Sequence, residues 1–477
     1  MPFEFIDNNA TISRTARRRI RTHAATGKNT NKALARPSKN NVLKKHDVTP
    51  FRTPETILAR RERQIERPVS DGVLFPIPVP ARSKGLVREA LFFFSGIRYN
   101  VELDGAVDNP DVMGSVWIRF FFRDEAYFHC SVATSILCSR NLVSETTQGM
   151  YHIARTYRIV QERLMSREEA TADMTIAILV AMSQYERLQG EYSRGYVHVQ
   201  GLRRMIELRG GLAQFNSECS AVALKVLRAD LEYALQLGGR MLFGLEGIDF
   251  LRLLKGVDIN GCREQFSDAR VDLSLRDSLR ADLLATFVDM RSLAGMLNDA
   301  GAGQRRKIAA EDFHNTIVLL GYRVLDIGAL DGKSAGNIPT PMSILEEASH
   351  LGLIAFLVTF LRGLDHRIAD KPLLSRRLRI AVQGLLMSIE SDNEDKIAKN
   401  VLLWTLFIGA VAVFKPSDDE WLIPTINRTM RILGLSSWEN VKQSFAGFPW
   451  VNALHDRTGV VLCSTQKFLK LADSDQG

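Results

Sequence analysis

Cysteine is scarce in this chain: five among 477 residues, and none before Cys130. Cys130, Cys138, Cys219, Cys262 and Cys463 are too few and too scattered for a disulfide framework, and they suit a reducing compartment. Long apolar runs are lacking too. The longest uncharged one, 401–414 (VLLWTLFIGAVAVF), falls short of the ~20 residues that cross a bilayer. It reads as a buried core helix, and no membrane partner is expected. Met1-Pro2-Phe3-Glu4-Phe5 leads into polar residues without a signal-peptide apolar region, so the chain is expected to be soluble and intracellular. Clean period-two stretches are few, and no Asn-Gly turn separates β-branched runs, which argues against a β architecture. Gly-x-Ser-x-Gly and paired His-Glu ligand motifs are also missing. No enzyme activity and no cofactor is therefore expected.

What the chain does have is positive charge, concentrated at one end. Residues 1–70 hold 16 Lys+Arg against 6 Asp+Glu, whereas the whole chain nets only +8. The rest is therefore slightly acidic. A basic arm on a near-neutral body is an electrostatic footprint for a polyanion. Residues 1–85 are rich in Arg, Lys, Asn, Thr and Pro and poor in apolar periodicity, so a largely disordered arm and linker is expected. Within it, Phe75-Pro76-Ile77-Pro78-Val79-Pro80 should run extended along the body surface. Ser13 can cap a helix from about Arg14 to Ala25, with Arg14, Arg17, Arg18 and Arg21 on one side. Those charges repel one another, so the helix needs an anion to form. A second charged helix, about Pro54 to Arg67, mixes Arg with Glu and reads as a solvated face.

Three readings of the arm stay open. Arg17-Arg18-Arg19-Ile20-Arg21 can be the core of a nuclear-import signal. Arg14, Arg17, Arg18, Arg19, Arg21, Lys28 and Lys32 can contact phosphates and release counterions. Or the arm is a solvated tail. Its aromatics, Phe3, Phe5 and Phe51, are too few to stack a single strand.

From about Leu86 to 470 the pattern is helical. Apolar residues recur at three- and four-residue spacing over Tyr151–Met165, Met174–Leu188, Val222–Leu237, Leu283–Leu297, Ile308–Leu325, Ile344–Leu361 and Leu378–Met387. The expected fold is all-α: a multi-helix regulatory body, 86–470, behind the basic arm. Softer boundaries fall at 256–280 or 328–342, where Gly, Asp and Ser accumulate.

The run Tyr196 to Leu212, YVHVQGLRRMIELRGGL, is an amphipathic helix with a stop. Val199, Leu202, Met205 and Ile206 face a core, Arg203 and Glu207 pair outside, and Gly210-Gly211 cap the end. This run resembles the signature of the fungal-specific transcription factor domain. The matching residues are His198, Gly201, Leu202, Met205, Ile206, Leu208, Arg209, Gly210 and Gly211. His152 to Leu164, Leu402 to Gly409, and Phe448-Pro449-Trp450-Val451 with His455-Asp456 are similar to that family as well. So is the N-terminus, with Phe5, Ile6 and Asn8 before the Arg17–Arg21 cluster and Thr22-His23. The resemblance implies a nuclear transcription regulator. Most of that family carries a zinc binuclear cluster, which needs six closely spaced thiolates. Five scattered cysteines cannot supply it, so the resemblance is to members that lack the cluster. DNA would then be reached directly by the arm or through a DNA-binding partner. The body would answer to a partner, a small-molecule effector or a homo- or hetero-oligomer. The alternative is a helical scaffold protein with no promoter role.

Other features have plainer readings. Gly328 to Ser334 imitates a phosphate loop, but three residues rather than four separate its glycines, and it follows a helical pattern. His129, Cys130 and Cys138 sit in an aromatic helical run and read as packing. His198 is expected to hydrogen-bond inside the body. His455-Asp456 and Asp365-His366 are adjacent pairs, which do not face each other on a helix. Phosphorylation at Thr49-Pro50 or Thr53-Pro54 would weaken the arm's charge.

Overall fold

Asp124 shows how local chemistry starts this fold. Its carboxylate accepts the Tyr127 N–H at 2.8 Å and Arg163 at 2.6 Å, so one side chain begins a helix and ties it to the next. The computed structural model describes residues 75–77, 85, 87–88, 90–91, 101–108, 115–138, 146–244, 273–332, 341–362, 370–391 and 396–474. All of them belong to one unit, residues 58–477. The arm residues Arg14, Arg17, Arg18, Arg19, Arg21, Lys28 and Lys32, both helices expected there, the Thr-Pro pairs, Cys262 and Asp365-His366 lie outside the described residues. So do parts of the soft boundaries at 256–280 and 328–342.

The fold is all-α, with no β-strand among the described residues. The first half runs α1 (Val116–Arg123), α2 (Glu125–Cys138), α3 (Thr146–Arg163), the single turn α4 (Arg167–Ala170), α5 (Asp173–Leu188), α6 (Tyr192–Leu208), α7 (Leu212–Glu218) and α8 (Ser220–Leu237). Then come α9 (Leu273–Ser278), α10 (Ala281–Gly301), α11 (Ala310–Ile327), α12 (Ile344–Val358) and α13 (Pro372–Ser391). The last are α14 (Lys396–Ala412), α15 (Asp419–Ile432), α16 (Trp438–Ser444) and α17 (Asn452–Ser474). Each apolar window read from the sequence lies largely on one of these helices. Neighbours pack as α2 with α3 and α5, α5 with α6 and α8, α8 with α11, and α12 with α13 and α14.

Helix ends follow from their residues. Ser343 and Glu346 form a reciprocal capping box at α12: the Ser343 hydroxyl accepts the Glu346 N–H at 3.1 Å, and the Glu346 carboxylate accepts the Ser343 N–H at 2.9 Å. At the end of α6 Gly210 turns left-handed, with φ 95°. The Gly211 N–H then reaches the Ile206 carbonyl at 2.9 Å, and the Gly210 N–H reaches Glu207 at 3.2 Å. That pair of bonds is the Schellman arrangement, and a side chain at Gly210 would be strained there.

The run 401–414 is largely the buried helix α14: Val401 to Ile408 are all inaccessible to solvent. Trp404 donates its indole N–H to the Pro449 carbonyl at 3.0 Å and stacks on Phe448 at 5.4 Å. Two stretches that the sequence could only note separately thus meet in one core. No helix among the described residues is long and apolar enough to cross a membrane. Of the stretch Phe75 to Pro80, expected to be extended, only Phe75, Pro76 and Ile77 are among the described residues, and these depart from that course. The chain bends at Pro76-Ile77, and Phe75 packs on Phe122 and Phe128 with ring centroids 5.5 and 6.1 Å away. The half-buried Phe75 ring gains two ring contacts in this bent course.

Candidate functional site

A cavity of about 350 Å³ opens between α2 and α3. Glu125 and His129 come from α2, Tyr151, Arg155 and Arg158 from α3, and Ile77 from the linker. Spacing explains each helix's contribution: residues three and four apart share a face. Glu125 and His129 are one turn apart on α2, as are Tyr151, Arg155 and Arg158 on α3.

His129 lines this cavity and is paired behind it with His152. His129 is almost fully buried, and its Nδ1 lies 2.6 Å from the Nδ1 of His152. One proton must sit between them. His129 Nε2 faces a Glu125 oxygen at 3.7 Å, which favours a proton on that nitrogen. His129 Nδ1 is then the acceptor and His152 Nδ1 the donor. Burial lowers the pKa of both rings; that of His152 falls to about 4, helped by the charge His129 would carry. Near neutral pH the pair is uncharged.

The charges around it are unequal. Arg155 Nε and its terminal nitrogen both reach Glu125 at 2.9 Å, so those two side chains neutralise each other. Arg158 is exposed and has no ion-pair partner among the described residues. The Tyr151 ring is 63% exposed at the rim, and its edge meets His129 at 5.9 Å. Among the described residues the site therefore presents one guanidinium without an ion-pair partner, beside the Tyr151 ring, Ile77, Ala154 and the Glu125–Arg155 pair. No group of His, Cys, Asp and Glu suited to a metal occurs among the described residues.

A second polar cluster is packed rather than open. Glu232 on α8 takes Arg187 from α5 and Arg228 from its own helix, each at 2.9 Å. Burial raises the Glu232 carboxyl, but the two arginines outweigh it and bring the pKa down to about 2. Lys371 donates to Gln236 at 2.9 Å. Burial and Arg187 bring the Lys371 pKa down to about 7.

The residues of the signature run lie elsewhere, on α6 and its cap. Leu202, Met205 and Ile206 are buried, as the spacing predicts, whereas Gly201 and Leu208 are only partly covered or exposed. Arg203 pairs with Glu207 at 2.9 Å outside. Arg209 bridges the carboxylates of Asp173 and Glu218 and covers the Phe215 ring at 4.8 Å. Gly210 and Gly211 form the turn already described. His198 meets the Tyr157 ring at 6.1 Å, a ring contact in place of the expected hydrogen bond among the described residues. None of these residues lines the cavity.

Cys130 is fully buried, and burial pushes its thiol up to about 12, which makes it an inert packing group. His455 and Asp456 serve different partners. The His455 Nδ1 accepts the Val451 N–H at 3.0 Å, while Asp456 takes the Trp450 indole at 2.8 Å and Lys442 at 2.6 Å. In the imitation phosphate loop, Gly328 is extended, the Ala329 carbonyl is held by Arg377 at 2.9 Å, and Lys333 and Ser334 lie outside the described residues.

No family model, curated protein or solved structure matches this chain.

The functional reading rests on the residues. Sequence reasoning assigned His129 to packing and did not single out Glu125, Tyr151, Arg155 or Arg158. The available signal was a pair of arginines three apart with Tyr151 one turn before them. Their convergence with α2 is a tertiary fact.

Proposed function

We propose that this protein is a nuclear transcription regulator in which the basic arm supplies import and DNA-backbone contact, and the helical body binds an effector or partner. The observation that carries the reading is the charge division: 16 basic against 6 acidic residues in 1–70, ahead of a body that nets slightly negative. The resemblance of His198 to Gly211 to the fungal transcription factor signature supports it. So does an open cavity within an all-helical body, a place where a small molecule can act. Sequence choice then comes from a DNA-binding partner, directly or after oligomerisation.

The test is chromatin occupancy of the tagged protein in its native host. Sharp promoter peaks are expected, and they should fade when Arg17, Arg18, Arg19 and Arg21 are changed to Gln. A flat profile from well-expressed protein overturns the promoter role. The second reading, a helical scaffold, is favoured by exposed apolar side chains such as Met150, Ile380 and Met387, which are 66, 60 and 71% accessible. A scaffold would keep its partners when the arm's arginines are neutralised and would show no salt-dependent DNA binding.

A further inference from the structure

We propose that the cavity between α2 and α3 binds a small organic monoanion, a carboxylate carried on a flat apolar body. Charge sets the first half of that description. Arg155 is consumed by Glu125 at 2.9 Å, which leaves Arg158 as the one lining cation without a partner among the described residues. A net of one positive charge matches a monoanion. A dianionic phosphate would bring a second negative charge towards Glu125, with no second free cation among the described residues to meet it. A guanidinium also presents paired N–H donors that fit a carboxylate.

The walls set the second half. The Tyr151 ring stands exposed at the rim, Ile77 and Ala154 add aliphatic surface, and His129, backed by its contact with His152, lines the site. The Tyr151 ring, Ile77 and Ala154 offer ring and aliphatic surface, and the polar groups of the lining gather at Arg158 and the Glu125–Arg155 pair. That arrangement suits a planar apolar group more than a sugar. A volume of about 350 Å³ falls at the small end of ligand sites and admits one or two fused rings.

Ile77 gives the site a further consequence. It belongs to the described segment nearest in sequence to the basic arm, so a ligand here touches the chain leading from that arm. The inference deepens the effector-responsive reading of the body and rests on it for biological meaning only.

The experiment is calorimetric titration of the purified full chain with 2-naphthoate, benzoate and hexanoate. 2-Naphthamide serves as the neutral isostere of the first, and inorganic phosphate as a simple anion. The expected result is saturable binding of 2-naphthoate, with the amide and phosphate each about ten-fold weaker or worse. Arg158→Gln should erase the difference between naphthoate and naphthamide. Tyr151→Glu, which sets a repelling carboxylate at the rim, should do the same by another route. Arg204→Gln, at a side chain 72% exposed on α6, should change nothing. Thermal midpoints of all variants check that they fold.

The proposal is overturned if none of the three carboxylates binds below millimolar concentration. It is equally overturned if naphthamide matches naphthoate, or if Arg158→Gln binds as the parent does. Tighter binding of phosphate than of naphthoate would overturn it in favour of a simple anion site. Failure here leaves the chromatin result untouched, and a flat chromatin profile leaves the binding result untouched, so the two ideas fail separately.

Discussion

His129 and His152 hold their Nδ1 atoms 2.6 Å apart from two different helices, a contact that survives only while at least one proton is missing. Protonating both rings would set two donors against each other. Burial lowers both pKa values, and it brings His350 to about 4 and His455 to about 3. A histidine with a depressed folded pKa binds fewer protons than in the unfolded chain. Its contribution is complete above the ordinary value of 6.5 and is lost as pH falls towards the folded value. The urea midpoint should therefore drop between pH 6.5 and 4. For His350 alone the shift from 6.5 to about 4 corresponds to about 3 kcal/mol. His350→Leu should flatten the slope; an unchanged slope would refute this account.

Lys371 and Glu232 make opposite predictions. Glu232 is the one acid among Arg187, Arg228 and Lys371, so Glu232→Gln leaves buried cations uncompensated and should cost about 3–5 kcal/mol. Lys371 is a surplus cation held at 3% exposure. Lys371→Met should stabilise by about 1–3 kcal/mol at neutral pH. Because the folded Lys371 loses its proton near 7 and the unfolded one near 10.5, the parent chain gains stability as pH rises across that window. The advantage of Lys371→Met should shrink accordingly, as midpoints at pH 6.5 and 9.5 would show.

Two glycines of α6 should respond in opposite senses to alanine. A Cβ at Gly195 would come 2.7 Å from Cζ of Tyr233 and closer still to its hydroxyl, which is fixed by a 2.7 Å bond to the Ser183 carbonyl. Gly195→Ala should cost roughly 1–3 kcal/mol. At Gly201 the nearest atom is Leu179 Cδ2 at 3.5 Å, an ordinary contact. There alanine should stabilise by up to about 1 kcal/mol through helix propensity. Equal effects at the two sites in thermal melts would refute the packing described for α6.

Arg209→Lys should be costly although charge is kept. Lysine cannot bridge Asp173 and Glu218 while covering Phe215, so a loss of about 1–2 kcal/mol is expected. Arg203→Lys, on an exposed pair one turn earlier, should change stability by less than about 0.5 kcal/mol. Urea unfolding of the two variants side by side checks the contrast.

The helices were legible because their information is local. Val199, Leu202, Met205 and Ile206 fall on one face by spacing alone, and Gly210-Gly211 announce the stop. The core role of 401–414 followed from a run too short for a bilayer yet uniformly apolar. The cavity was illegible for the opposite reason. Glu125 and His129 meet Tyr151, Arg155 and Arg158 only after α2 and α3 dock, and no period in the sequence encodes that docking. The cluster of Arg187, Arg228, Glu232 and Lys371 spans three separate segments and was invisible for the same reason. The contact of Phe75 was hidden by the prolines beside it, whose backbone preference gave no hint of the Phe122 and Phe128 rings it packs on.

Biosynthesis gives α14 a particular exposure. Trp404 and its neighbours are covered in part by Phe448, Pro449 and α17, all of which leave the ribosome later. At roughly 5–20 residues per second the ribosome needs several seconds to deliver them. Throughout that interval one of the most apolar helices of the body has one side open to water. Nascent chains paused there should be clients of holding chaperones, and an internal stop codon between α14 and Phe448 should give an aggregate rather than a shorter folded protein.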